Sequence, residues 1–352
     1  MTVHRLSSPE DCEGIKNLMR RVLALDEHAV AIQPAFLRWK YWDPHPLTSA
    51  GRSYVVEGQN GIVAHGCRWP MQILTTSACY DAFHLIDWAG DSSHAGAGLQ
   101  VLRDTCEKSA ALFSIGGSPT TRKILPALGE HFRRRDKAGR APSYRVVGHM
   151  YFLNRPLKPI AAATHEGPLD WKTPARALRN LARVASPALR LSEGYSFKQV
   201  TPREIPESLW LNLTPEVAVT ARDCRLLEHF AHCPVLRQPM AFVLSHGNTA
   251  VAYFFLVLAG RQVRVADYGP ANLNADVSQN LSVAAQIVAK RCYPDALRIS
   301  AATSEQTVRS GWLHSGLRQS YEEEIRALVV EPMLNNMPQF RLTYLDCDAL
   351  CF

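Results

Sequence analysis

No two cysteines in this chain stand at CxxC spacing. The nine are scattered and odd in number, at positions 12, 67, 79, 106, 224, 233, 292, 347 and 351. That pattern argues against a disulfide framework or a zinc ribbon and for a reducing compartment. His229, His232 and Cys233 form one local cluster, but no second cluster stands at ligand spacing, so no metal is expected. The chain also lacks a run of 18 apolar residues, which a spanning helix would need. Its longest apolar stretch, Ala250 to Gly260, suits a buried strand. The N-terminal MTVHRLSSPEDCEGIKNLM has no apolar core of secretory length. The expected compartment is the cytoplasm, with peripheral contact at a membrane left open. Acidic excess is missing too: 39 Lys and Arg outnumber 32 Asp and Glu, for a net charge of +7. A basic balance suits an anionic ligand or surface. The 352 residues, 47% hydrophobic, are enough for about two domains.

Against this background one stretch stands out: Leu85 to Leu102, LIDWAGDSSHAGAGLQVL. Leu85, Ile86 and Trp88 read as a buried strand, broken by Gly90, Asp91, Ser92 and Ser93. Leu99, Leu102 and Cys106 resume at helical spacing. A strand, a turn of small residues and a helix start make an anion site. The first amides of a helix have no partner within it, and its dipole favours negative charge there. Glycine at 96 and 98 would let a phosphate reach the backbone.

The first 130 residues read strand, helix, helix, an antiparallel meander, the glycine-rich turn, helix, strand, helix. Ser8-Pro9-Glu10-Asp11 starts the first helix. A second helix carries Phe36 to Trp42, an aromatic cluster that suits either core or an acceptor pocket. Gly58-Gln59-Asn60-Gly61 turns a hairpin, and Pro70 is expected to break the strand that follows. The glycine-rich turn follows a meander rather than the first strand, which separates this chain from dinucleotide-binding folds. Arg133 to Arg145 is strongly basic, and Val146 to Leu153 is expected to complete the first sheet. Residues 154–198 read as a basic helical linker, amphipathic through Trp171, Leu178, Leu181 and Val184.

From 199 onward the chain replays its first part. Tyr54-Val55-Val56 with Ile62-Val63-Ala64 is echoed by Phe242-Val243-Leu244 with Ala250-Val251-Ala252. Asp87-Trp88-Ala89-Gly90 is echoed by Asp267-Tyr268-Gly269, and Ser118 to Thr121 by Ser304 to Thr307. The order is kept throughout. The copies part at the turn: Asn272 to Val277 has no glycine, and Asp276 would repel a phosphate. The anion site is expected in the first copy alone.

This element order, the turn Ser93-His94-Ala95-Gly96-Ala97-Gly98 and the Leu128-Gly129 helix ending together resemble the GNAT acyltransferase superfamily. The turn matches both small positions of that family's Gln/Arg-x-x-Gly-x-Gly/Ala pattern and lacks its leading Arg or Gln. The resemblance implies a mixed α/β (α+β) protein of two tandem GNAT-like units, each a mostly antiparallel central sheet flanked by helices. Residues 1–153 would form the unit with the acyl-CoA site, and 199–352 a degenerate second unit. Acetyl-CoA would be the acyl donor and a small-molecule amine the acceptor, an amino sugar or cell-envelope precursor among the candidates. Its binding residues would be Trp88, Ala89, Ser93, His94, Ala95, Gly96, Ala97, Gly98 and Leu99, with Ser118 and Thr121 flanking the thioester. Asp87, Asp91 and His65 are the candidate proton acceptors, since the amine must lose a proton. The tyrosine that many members carry four residues before the closing glycine is replaced by Leu125. Two other readings stay open: a Fem-like transferase using aminoacyl-tRNA, and a non-catalytic CoA-binding protein. Nucleic acid is otherwise not expected as a partner, and the chain could be a monomer or a homodimer.

Overall fold

The computed structural model describes residues 3–106, 110–117, 121–127, 130, 143–165, 171–184, 189–210, 213–329, 334, 339–347 and 350–351. Its centre is one 14-stranded sheet. The first unit supplies β1 (Val3–Leu6), β2 (Ser53–Gly58), β3 (Gly61–Leu74), β4 (Cys79–Gly90), β5 (Ala111–Ile115) and β6 (Ser143–Pro156). The second supplies β7 (Tyr195–Val200), β8 (Val217–Thr220), β9 (Leu236–His246), β10 (Thr249–Ala259), β11 (Gln262–Gly269), β12 (Arg298–Thr303), β13 (Arg318–Val329) and β14 (Gln339–Arg341).

Each unit opens with a helix-and-hairpin arrangement. In the first, α1 (Cys12–Leu23) and α2 (Pro34–Tyr41) pack on the meander β2–β3–β4. Phe36, Leu37, Trp39 and Tyr41 of α2 are buried, so the aromatic cluster is largely core. Gly61, at φ +116, closes the expected hairpin turn in a conformation that side chains avoid. Pro70 does not end β3. From Arg68 onward β3 has left β2 and pairs only with β4, until β8 meets it at Ile73. A proline without an N–H is tolerated on such an unpaired side.

The two units exchange their last long strand. The sheet order is β1-β2-β3-β4-β5-β13-β6-β12-β11-β10-β9-β7. Strand β6 therefore does not complete the first sheet beside β5. It lies between β13 and β12, pairing Thr303 with Tyr151, while β13 pairs Ile325 with Ile115 of β5. The main core consequently spans both units: Phe113, Met150 and Phe152 share it with Phe230, Tyr253 and Phe340. The linker begins later than expected, after Pro156, and carries α4 (Pro159–His165) and α5 (Thr173–Val184). The second unit's helices are α6 (Cys224–Ala231), α7 (Ala275–Cys292) and α8 (Gln306–His314).

Candidate functional site: an open cleft between two parallel strands

Strands β4 and β5 run parallel and pair only from Ala82↔Ala111 to His84↔Phe113. Beyond His84 they splay. The stretch from Leu85 to Gly90 keeps β3 on one side and, among the described residues, has no strand on the other. A bulge opposite Gly66 helps turn it away, with Asp87 at φ +51. The gap is a cavity of about 390 Å³. Leu85, Trp88, Ser114 and Thr121 are among its walls. Gly116 (φ +70) and Gly117 (φ +99) turn the chain out of β5, and a Cβ on Gly116 would stand 3.2 Å from Glu323 Oε2.

The helix α3 (Ala97–Cys106) begins beside Trp88, a residue of the cleft wall. The amides of Ala95, Gly96, Gly98 and Leu99 find no acceptor among the described residues. Those of Ser93, His94 and Ala97 are taken by the Asp91 carboxylate, the Asp91 carbonyl and the His94 carbonyl. Trp88 Nε1 donates to the Gly98 carbonyl at 2.9 Å, and a Cβ on Gly90 would lie 3.3 Å from the Gly98 Cα. The strand end thus presses against the first turn of α3, and only small residues fit there. Free amides, a helix N-terminus and no side chain between make an anion cradle.

The three candidate proton acceptors stand in different surroundings. Asp87 borders the cleft, yet its Oδ2 lies 2.7 Å from Lys40 Nζ and accepts from the Tyr41 hydroxyl at 2.7 Å. Burial opposes its ionisation, but Lys40 and Tyr41 hold the carboxyl below the usual carboxylate range. His65 is fully buried, and its pKa is pushed down to about 4 by that burial. Its Nδ1 donates to the Asp87 carbonyl and its Nε2 accepts from Ser53 Oγ, at 3.1 and 3.0 Å. Asp91 shapes the loop, accepting from Ser93 Oγ and Arg21. Ser118 lies outside the described residues.

Several cleft residues carried no sequence signal. His84 is 4% exposed and faces the cavity, and its Nδ1 has no hydrogen-bond partner among the described residues. The backbone of Asp346 lies close enough to favour the charged ring, but burial outweighs it. Burial, reinforced by the charge of Lys40, pushes its pKa down to about 4, so the ring is neutral near pH 7. Tyr321 and Glu323 of β13, with Cys347, close the far wall from the second unit. Glu323 also accepts from Arg122 at 3.0 Å. Burial raises the Tyr321 phenol above its ordinary pKa. Leu125 is packed with Leu85, Leu102 and Leu112, so no polar group stands at that position.

The second unit repeats the splay and fills it. Strands β11 and β12 pair from Gln262↔Arg298 to Val265↔Ala301 and then part. Residues 341–343 occupy the gap. Thr343 bridges to Thr303, the Ser304 amide donates to the Leu342 carbonyl, and Arg341 donates to the Tyr268 carbonyl. The helix start beyond is closed as well: Asn274 Oδ1 caps the Val277 amide, and Asp276 sits in the first turn.

No family model and no curated protein matches this sequence. Solved structures do match its fold. A GCN5-related N-acetyltransferase from Anabaena variabilis is 8% identical, with a TM-score of 0.55 over 94% of this chain and 73% of that one. A tandem GNAT protein from the clavulanic acid biosynthesis pathway is 10% identical, with a TM-score of 0.55 over 94% of this chain and 99% of that one. The chain has the tandem GNAT fold. A third match is N-myristoyltransferase from Saccharomyces cerevisiae, solved with bound myristoyl-CoA and inhibitors. It is 10% identical, with a TM-score of 0.53 over 93% of this chain and 80% of that one. Within the tandem GNAT fold seen here, the open splay belongs to the first unit and the filled one to the second. Among the described residues no helix is long and apolar enough to cross a membrane.

Proposed function

We propose that this chain is an acyl-CoA-dependent N-acyltransferase whose donor lies in the first unit's cleft and whose second unit closes the acceptor side. The observation that carries the reading is the pairing of free amides at the α3 start with an unfilled splay beside them. The amides of Ala95, Gly96, Gly98 and Leu99 would hold the donor's pyrophosphate. The loop residues Ser93, His94 and Ala97 would set their spacing. The unpaired edge at Trp88 and Ala89 would bind the pantetheine arm as an added strand, and Ser118 and Thr121 would flank the acyl end. Acetyl is the acyl group proposed, and the setting proposed is the cytoplasm.

The residues around the acyl end divide the proton work. In the transfer, the amine nitrogen bonds to the acyl carbon, the carbon–sulfur bond breaks and the amine loses one proton. His84 Nδ1 is the group best placed to take it: neutral, unpartnered and facing the cavity. Tyr321 stands on the opposite wall with its proton held, so it can protonate the departing sulfur. Asp87, among the candidate acceptors, would act through Lys40, and His65 would hold the bulge from behind. Asp91 would set the loop. The acceptor is a small amine, taken from the side that Glu323 and Tyr321 border.

Calorimetric titration with acetyl-CoA tests the donor site. Micromolar binding is expected, weakened about a hundredfold in Gly98→Glu, where a carboxylate would replace the close backbone approach. No binding by either protein would sink the proposal. His84→Gln should keep that affinity while thiol release with an amine acceptor falls roughly a hundredfold. An unchanged rate would remove His84 from the reaction.

A further inference from the structure

The linker helix α5 is mounted with its apolar face outward. Ala175, Leu178 and Ala182 stand three and four residues apart, Leu181 stands three beyond Leu178, and the four share one face, with Trp171 just ahead of the helix. That face points to solvent: Trp171 is 83% exposed and Leu178 70%. Polar anchors fix this orientation from the other side. Asn180 is fully buried and donates to the Pro159 carbonyl, and Arg155 donates to the Val184 carbonyl. Ile160 of α4, the helix packed against α5, is a further exposed apolar side chain. Lys172, Arg176 and Arg179 lie along one flank of the stripe, and no acidic residue occurs from 171 to 184. Lys172 Nζ stands 5.5 Å from the Trp171 ring.

We infer that this face docks on an anionic lipid bilayer, with the stripe in the acyl–headgroup boundary and the cations on lipid phosphates. An apolar stripe beside a cationic row, ended by tryptophan, is the pattern of a helix lying in the membrane plane. At about 1.5 Å per residue, α5 is about 18 Å long, too short to span and suited to lying flat. A second copy of this chain fits less well, because an isologous contact would set this all-cationic edge against itself. A nucleic acid would use the cations and leave the leucines in water. The inference does not depend on the transferase reading.

Co-sedimentation of the full chain with vesicles tests it. Binding is expected to phosphatidylcholine–phosphatidylglycerol vesicles, to fall with added salt, and to be much weaker on phosphatidylcholine alone. The Leu178→Glu/Leu181→Glu variant should lose binding roughly tenfold or more, with its circular dichroism unchanged. Should that variant misfold, Trp171→Ser, which changes an exposed residue ahead of the helix, carries the same reading. Vesicle binding that is absent, or that survives these substitutions, overturns the inference. So does a dimer that the substitutions split while no vesicle binding is seen, since a second copy then covers the face.

Discussion

The two splays of this sheet begin alike and end differently. Each lies beyond a strand that carries a buried aspartate, Asp87 in one and Asp267 in the other. Each aspartate meets the strand before it at matching hairpin positions, His65 and Tyr253. In the first unit the aspartate accepts from Lys40 and Tyr41 of α2, and the space in front of it stays open. In the second it accepts from Tyr253, Arg222 and Thr343, and Thr343 arrives on the strand segment that fills the gap. Asp346 then binds Arg222 from the same segment at 2.5 Å. A splayed pair of parallel strands is a defect that something must fill. In one unit the chain fills it, and in the other it stays open. The segment anchored by Thr343 and Asp346 goes on to place Cys347 in the wall of the open cleft.

The sharpest way to break the comparison is to remove each aspartate's charge. Asp267→Asn leaves a fully buried Arg222 with one of its two carboxylates, and a loss of about 3–5 kcal/mol in unfolding free energy is expected. Asp87→Asn should cost a similar amount through Lys40. The two should separate in ligand binding: Asp267→Asn leaves acetyl-CoA affinity unchanged, and Asp87→Asn lowers it by disturbing the bulge. Urea unfolding and calorimetry on both variants give the answer. If Asp267→Asn weakened the ligand as much as Asp87→Asn, the two splays would not be independent.

Acid should tell the units apart more gently. Among the described residues the second unit has His229 of α6, which burial holds at about 4, while the buried His45, His65 and His84 all belong to the first unit. Burial holds them at about 2, about 4 and about 4. An unfolded imidazole titrates near 6.5. As the pH falls below that value the unfolded chain takes up protons that the folded rings refuse. Stability is therefore full above about pH 6.5 and declines toward pH 4, by up to about 1.4 kcal/mol per pH unit for each ring. At the position matching His65 the second unit has Tyr253, whose phenol burial raises further out of this range. Hydrogen exchange, corrected for its intrinsic pH dependence, should show residues 53–90 losing protection before residues 249–269. Simultaneous loss would mean that the shared core unfolds as one.

Much of this architecture is legible in the sequence. The repeat could be read because each hairpin writes its own alternation, and the failed second turn because Asp276 and the missing glycines are local facts. The strand exchange could not be read. Strands β6 and β13 have the alternation that either partner would demand, and their pairing is settled by contacts far along the chain. The site divides the same way. The α3 amides follow from glycine spacing. His84 gave no signal, because a histidine in an apolar strand has the same pattern whether its lone pair is satisfied or bare. Lys40 was equally silent: its neighbours in sequence are aromatic, and its carboxylate partner lies on β4, a meander away.

The smallest expected effects test the filler directly. Thr343 Oγ1 donates to Asp267 Oδ1 at 2.7 Å and accepts from Arg222 Nη2 at 3.2 Å. Thr343→Val keeps the shape and removes both bonds, which should cost about 1–2 kcal/mol of stability. Acetyl-CoA affinity should not change, because Thr343 holds the filled gap rather than the open one. Thr121→Val is the mirror case. That side chain borders the open cleft, so a several-fold loss of donor affinity is expected with little loss of stability. Thermal unfolding and calorimetry on the two variants form a cross. A stability loss for Thr343→Val alone and an affinity loss for Thr121→Val alone establish that one splay is structure and the other a site. If Thr343→Val also weakened the donor, the segment would be transmitting its position through Asp346 to the cleft, and the filled splay would then be a support for the open one.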